Sequence, residues 1–197
     1  MNRKETKQKG FTLIELLVVI AIIAILSVVV ILTLNPAELL KQARDSNRIS
    51  DLSTLKSAVS LYLADVSSPT ITAGSAYCYL SAAGTSTCGG RYTAATVTSS
   101  QSGVFKVDGT GWVPVNFNAI SSGAPIGNLP KDPINTTGGS SSTNLFYSYA
   151  AISTSTLFEL DAKMESLKYS ASGTSDVEST DGGNQNTLYE TGTILNY

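Results

Sequence analysis

From Leu13 to Leu32 the chain is apolar except at Glu15 and Ser27. As a helix rising about 1.5 Å per residue, a run of about 20 such residues is just long enough to cross the hydrocarbon core of a bilayer. Glu15 breaks the pattern. An unpaired carboxylate costs up to about 3 kcal/mol at the bilayer centre and less near its edge, so Glu15 calls for a partner and a task. The leader in front carries Arg3, Lys4, Lys7 and Lys9 against Glu5, a basic segment that the positive-inside rule keeps in the cytoplasm. A cleaved secretory signal would have a shorter apolar core ending in a small-residue A-x-A site, whereas Ala21 and Ala24 lie in mid-run. An ordinary signal anchor accounts for the run and the leader, but not for Gly10, Phe11 and Glu15.

Gly10-Phe11-Thr12-Leu13-Ile14-Glu15-Leu16 resembles the processing site of type IV prepilins and type II secretion pseudopilins. The resemblance implies that a membrane peptidase cuts after Gly10, that Phe11 becomes the N-methylated amino terminus, and that Glu15 of one subunit meets the Phe11 amine of the next. The physics is consistent with that. A free α-amine on Phe11 has a reference pKa of about 8 and is mostly protonated at neutral pH. One buried charge of each sign per subunit favours a set axial offset between neighbouring helices, because a mismatched register leaves both unpaired. The plainer reading is that Glu15 sits in the headgroup layer beside its own amine, four residues along one helix face.

Once a leader and a membrane segment are set aside from 197 residues, the remainder is one small domain of roughly 130 residues. The net charge is −2, and no basic stripe beyond the membrane segment offers itself to nucleic acid. Histidine is absent from the sequence, which excludes Ser-His-Asp and Cys-His catalysis and His-ligated zinc, and no phosphate-binding glycine loop follows an expected strand. The chain is not expected to be an enzyme.

The expected organisation is a leader over 1–10, a membrane or filament-core half-helix over 11–34, its extramembrane half over 35–66, and a head over 67–197. Asn35-Pro36 reads either as a cap with proline at the first helical position or, the preferred reading, as a kink in one continuous helix. Leu52, Leu55, Val59, Tyr62 and Val66 recur at spacings of three and four, an apolar stripe for a sheet. Lys41, Arg44, Asp45, Arg48, Asp51 and Lys56 read as a solvated face, and Pro69 ends the helix near Ser67-Ser68.

Residues 67–111 are rich in Ser, Thr, Gly and Ala and read as an irregular connection. They hold Cys78 and Cys88, whose spacing suits a small disulfide loop in an oxidising space; separate reduced thiols are the alternative. An antiparallel sheet is expected over about 103–195, with one hairpin joining 104–107 to 112–117 and a second joining 145–151 to 157–163. Phe146 and Tyr149 read as core. Leu129-Pro130-Lys131-Asp132-Pro133, ahead of a Tyr-rich strand, is similar to the core of major pseudopilins. In those proteins a carboxyl-terminal loop binds calcium, which makes Asp176, Glu178 and Asp181 the calcium candidates; their spacing lacks the EF-hand pattern, and an ordinary solvated acidic loop is the expectation.

The fold expected is therefore α+β, a pilin-like ladle with one long helix against a small antiparallel sheet. The function expected is a structural subunit of a type IV pilus-like filament, held in the membrane before assembly and displayed at the cell surface after it. Its partners would be its own copies, the prepilin peptidase and N-methyltransferase, a membrane assembly platform and lipid. A pseudopilin of a secretion or DNA-uptake machine is the neighbouring reading, and a membrane-anchored binding module is the reading from another class.

Overall fold

The computed structural model describes residues 10–74, 76–83, 88–95, 97–99, 101–136 and 144–197. The chain divides into two compact units, Met1–Leu39 and Leu40–Tyr197. The first holds α1, Leu13–Leu34, and the opening turn of α2, which runs from Pro36 to Asp65 and lies mostly in the second. The continuous kinked helix expected across Asn35 is not what forms. Asn35 caps α1 in the left-handed conformation, φ 41°, which Asn tolerates better than most residues. Its carbonyl then accepts the N–H groups of Glu38 and Leu39, and Pro36 takes the first helical position, where its missing N–H is no loss.

The second unit contains a five-stranded sheet in the order β2-β1-β3-β4-β5, formed by Tyr77–Leu80 (β1), Val97–Thr98 (β2), Tyr147–Ala151 (β3), Phe158–Ala162 (β4) and Tyr189–Gly192 (β5). β1, β3, β4 and β5 pair antiparallel, and β2 joins β1 in parallel at the edge. The architecture is α+β and pilin-like. The hairpin expected over 145–163 is present as β3 and β4. Two strands fall inside the connection expected to be irregular, so the sheet begins well before residue 103. The hairpin expected over 104–117 is replaced by an irregular turn with one isolated bridge, Asp108 to Asn116. Adjacent Trp112 and Val113 are both buried, which strand alternation against one core forbids. Pro114 lacks a ladder donor, and a Cβ on Gly111 would collide with the Lys106 carbonyl oxygen and the Leu129 side chain.

The main core packs Leu52, Leu55, Val59 and Tyr62 of α2 against Tyr147, Tyr149, Phe158 and Leu160 of the sheet, with Trp112 and Phe117 closing one side. A second cluster lies on the opposite face, where Cys88, Tyr92, Ala95 and Tyr197 cover Cys78, Leu80, Phe146 and Ala150. Cys78 and Cys88 are joined, with their Cα atoms 5.9 Å apart, so the bond ties the covering segment 88–95 to β1. By the chain-entropy argument a loop of this size contributes about 2.5–3 kcal/mol. The Cys78→Ser, Cys88→Ser double variant is expected to lose that much in urea unfolding, and thiol labelling of the unreduced protein is expected to find neither cysteine.

The polar side of α2 is not the solvated face its charges suggest. Arg48 is fully buried. It donates from Nε and Nη2 to the two oxygens of Asp132, at 2.6 and 3.0 Å, and from Nη1 to Asp45 at 2.8 Å, with Glu165 also 2.6 Å from Nη1. Asp45 accepts the N–H groups of Glu165 and Ser166, and Asp132 those of Ile134 and Asn135. Arg44 grips Glu165 through two bonds of 2.8 and 2.6 Å. Farther along, Asp51 accepts the Tyr147 hydroxyl and Lys56 reaches Thr191. Burial alone would raise the Glu165 carboxyl, but the hydrogen bonds from Arg44 and Arg48 outweigh it and hold the group below its ordinary 4.5. A depressed value stabilises the fold fully above about pH 4.5, and that contribution is lost as pH falls through the folded-state value. Glu165→Gln should therefore be less stable than wild type at neutral pH, with the gap closing below about pH 4 in urea titrations at stepped pH.

Candidate functional site

Gly10 and Phe11 lie outside the helix, Phe11 at 93% exposure, and a Cβ built on Gly10 would meet nothing within 4 Å. The peptide bond between them thus lies in exposed backbone outside regular structure, of the kind a protease can engage. Thr12 is the N-cap of α1, and Glu15 is the third helical residue. The Thr12 hydroxyl accepts the Glu15 N–H at 3.3 Å, while the Thr12 N–H and hydroxyl donate to Glu15 Oε2 at 2.8 and 2.7 Å. This is a reciprocal capping box, and the sequence signal for it, Thr-x-x-Glu before an apolar run, was legible but passed over. The box turns the Glu15 carboxylate back over the start of the helix. A cut after Gly10 would place the new Phe11 amine one residue ahead of that cap, at the positive end of the helix dipole where a carboxylate is favoured.

Behind Glu15, α1 is apolar on every side. Leu13–Ile31 is long and apolar enough to span a membrane, and none of that window is buried within the chain. Its two hydroxyl side chains beyond the cap are satisfied locally: Ser27 donates to the Ile23 carbonyl, and Thr33 to those of Val29 and Val30. The helix therefore offers its surroundings a continuous apolar surface, which lipid or other helices can cover.

The prokaryotic N-terminal methylation motif matches residues 6–31. With its apolar helix, the motif fits the amino terminus of a type IV pilin or pseudopilin precursor. No curated protein and no solved structure matches the chain. In a precursor of this kind the motif indicates a structural subunit rather than an enzyme and implies processing by a prepilin peptidase. Its apolar helix is compatible with a membrane anchor.

The calcium candidates of this pilin-like precursor are not brought together. Asp176 accepts from the N–H groups of Ser172, Glu178 and Ser179 and from the Ser179 hydroxyl. Glu178 is buried and accepts from Lys163 Nζ and the Met164 and Ala171 N–H groups. Asp181 accepts from Gly183 and Glu190. These oxygens act as turn caps, and the set does not fit a shared ion. The acidic group that does converge, among the described residues, is Glu159, Asp161 and Glu190. Alternation over 157–163 leaves Glu159 and Asp161 on the face away from the helix, and Glu190 stands in a strand outside the two expected hairpins, so no local pattern joins the three.

Proposed function

We infer that this chain is the building block of a type IV pilus-like filament. The precursor enters the membrane by α1, is cut after Gly10 and methylated on Phe11, and is then drawn by a membrane assembly platform into a fibre. The α1 helices pack together in the fibre core with the heads outside. The methylation motif over residues 6–31, laid on a helix that is apolar all round, carries this reading. In the fibre, Glu15 of one subunit receives the Phe11 amine of a neighbour, so the same contact repeats head to tail without closing, which yields a filament rather than a ring. The capping box supports this assignment by holding Glu15 at the helix start, where the amine of an axially offset neighbour would arrive.

Mass spectrometry of the protein recovered from its own cells tests the first step. The mature chain is expected to begin at Phe11 and to carry one added methyl group. An intact Met1 terminus, in cells that process their other prepilins, would contradict the proposal.

A further inference from the structure

The sheet face turned away from α2 carries an unusual load of charge. In the strand register Asp161 stands opposite Ser148 on one side and Glu190 on the other, and Glu159 lies two residues along β4 on the same face. Water is kept off by segment 88–95 and Tyr197, so Glu159 and Asp161 are 0% exposed and Glu190 2%. One oxygen from each of the three carboxylates lies within 4.8 Å of the others.

Each glutamate is fastened by one oxygen and leaves the other unused. Glu159 Oε2 accepts the Tyr197 N–H at 2.9 Å, and Glu190 Oε2 accepts the Gln185 N–H at 2.8 Å. Glu190 is laid directly over Gly183, where a Cβ would collide with Oε2. Among the described residues, Glu159 Oε1, Glu190 Oε1 and both oxygens of Asp161 are buried without a hydrogen-bond partner, as is the Tyr92 hydroxyl. Tyr92 lies over the same face: its ring packs edge-on 6.1 Å from that of Tyr197, whose backbone N–H donates to Glu159.

Arg91 is the cation buried beside them. Its guanidinium stacks 3.8 Å over the Phe146 ring, and its Nη atoms donate to the carbonyls of Phe146 and Asn144 and to Ser148 Oγ. Among the described residues no ion pair joins it to the three carboxylates. Three carboxylates against one guanidinium leave two negative charges in a dry interior, which a folded protein does not tolerate uncompensated.

We propose that Glu159, Asp161 and Glu190, with the Tyr92 hydroxyl, hold one divalent cation of the calcium class between the sheet and its covering segment. Such an ion supplies the two missing positive charges. The donor set is all oxygen, which suits a hard cation and not zinc or copper. Two oxygens bound to calcium at about 2.4 Å can be at most about 4.8 Å apart, and the three carboxylate oxygens all lie within 4.8 Å of one another. A buried, irregular set of carboxylates suits calcium better than magnesium, which demands near-octahedral geometry and retains its waters.

The test uses the full chain in a non-ionic detergent, with the fluorescence of its one tryptophan, the buried Trp112, reporting thermal unfolding of the head. Relative to chelator, about 1 mM calcium chloride is expected to raise the midpoint by about 5–10 °C if binding is near 10 μM, and magnesium to raise it by less than half as much. Asp161→Asn should abolish the calcium shift, while Asp176→Asn should keep it whole. Should Asp161→Asn fail to fold, Glu159→Gln serves in its place. Equal wild-type midpoints in calcium and chelator would overturn the proposal, and a midpoint that then climbs from about pH 8 to about pH 5 would identify protons as the balancing charge. A shift that survives both cluster variants would overturn it as well.

Discussion

Replacing Arg48 by methionine is expected to destabilise the head by about 3–5 kcal/mol. The guanidinium is fully buried and meets Asp132, Asp45 and Glu165 together. Methionine fills much of the same space, so the loss comes from stranded charge rather than from a cavity. Asp45 and Asp132 would retain backbone N–H partners but no cation in contact, and Arg44 would remain for Glu165 alone. Arg48→Lys should recover only part of the loss, because one ammonium cannot give the paired bond to Asp132 while also reaching two further carboxylates. At about 2–4 °C per kcal/mol for a domain of this size, the thermal midpoint should fall by about 6–20 °C. Trp112, whose indole N–H donates to the Pro130 carbonyl beside this network, would report the change. A midpoint within about 1 °C of wild type would show that the network is not what clasps α2 to residues 130–135 and 163–166.

That network also marks where reading the sequence stopped short. Charged side chains at helical spacing read as a wet surface because isolated charges are seldom buried. What buries Arg48 is Asp132, 84 residues away, and no local pattern carries that pairing. The same holds for Glu159, Asp161 and Glu190: alternation over 157–163 puts the first two on one face, but Glu190 comes from a strand outside both expected hairpins, and the cover of 88–95 and Tyr197 reaches that face from distant parts of the chain. β1 went unread because Tyr77-Cys78-Tyr79-Leu80 holds no charged or hydroxyl-bearing aliphatic residue to mark alternation, as Ser148, Glu159 and Asp161 do in β3 and β4. The processing segment was legible because its chemistry is written in consecutive residues, from Gly10 to Glu15, and the α2 stripe because its period matches the helix. The break at Asn35 turned on one residue's left-handed backbone, which an Asn-Pro pair permits but does not compel.

Replacing Glu15 by alanine is expected to stop filament growth while leaving the head folded. In the fibre the change would strand a buried Phe11 amine, at a cost of roughly 3–5 kcal/mol per subunit, repeated at every contact. Membrane insertion should become slightly easier, since a charge leaves the apolar run. The capping box complicates the alanine variant, because losing Glu15 also loses the bonds to Thr12, and a weakened cap costs about 0.5–2 kcal/mol of helix stability. Two variants separate the roles. Glu15→Gln keeps a side chain able to reach back to the N-cap but removes the charge, whereas Thr12→Ala removes the capping hydroxyl and keeps the charge. The decisive measurement is the number of filaments seen by electron microscopy on cells making only Glu15→Gln, after confirming cleavage at Gly10 and a folded, membrane-held subunit. The account predicts few or none, with Thr12→Ala cells close to wild type. Filaments of normal number and length from Glu15→Gln alone would show that helix packing sets the register unaided and that Glu15 serves its own helix.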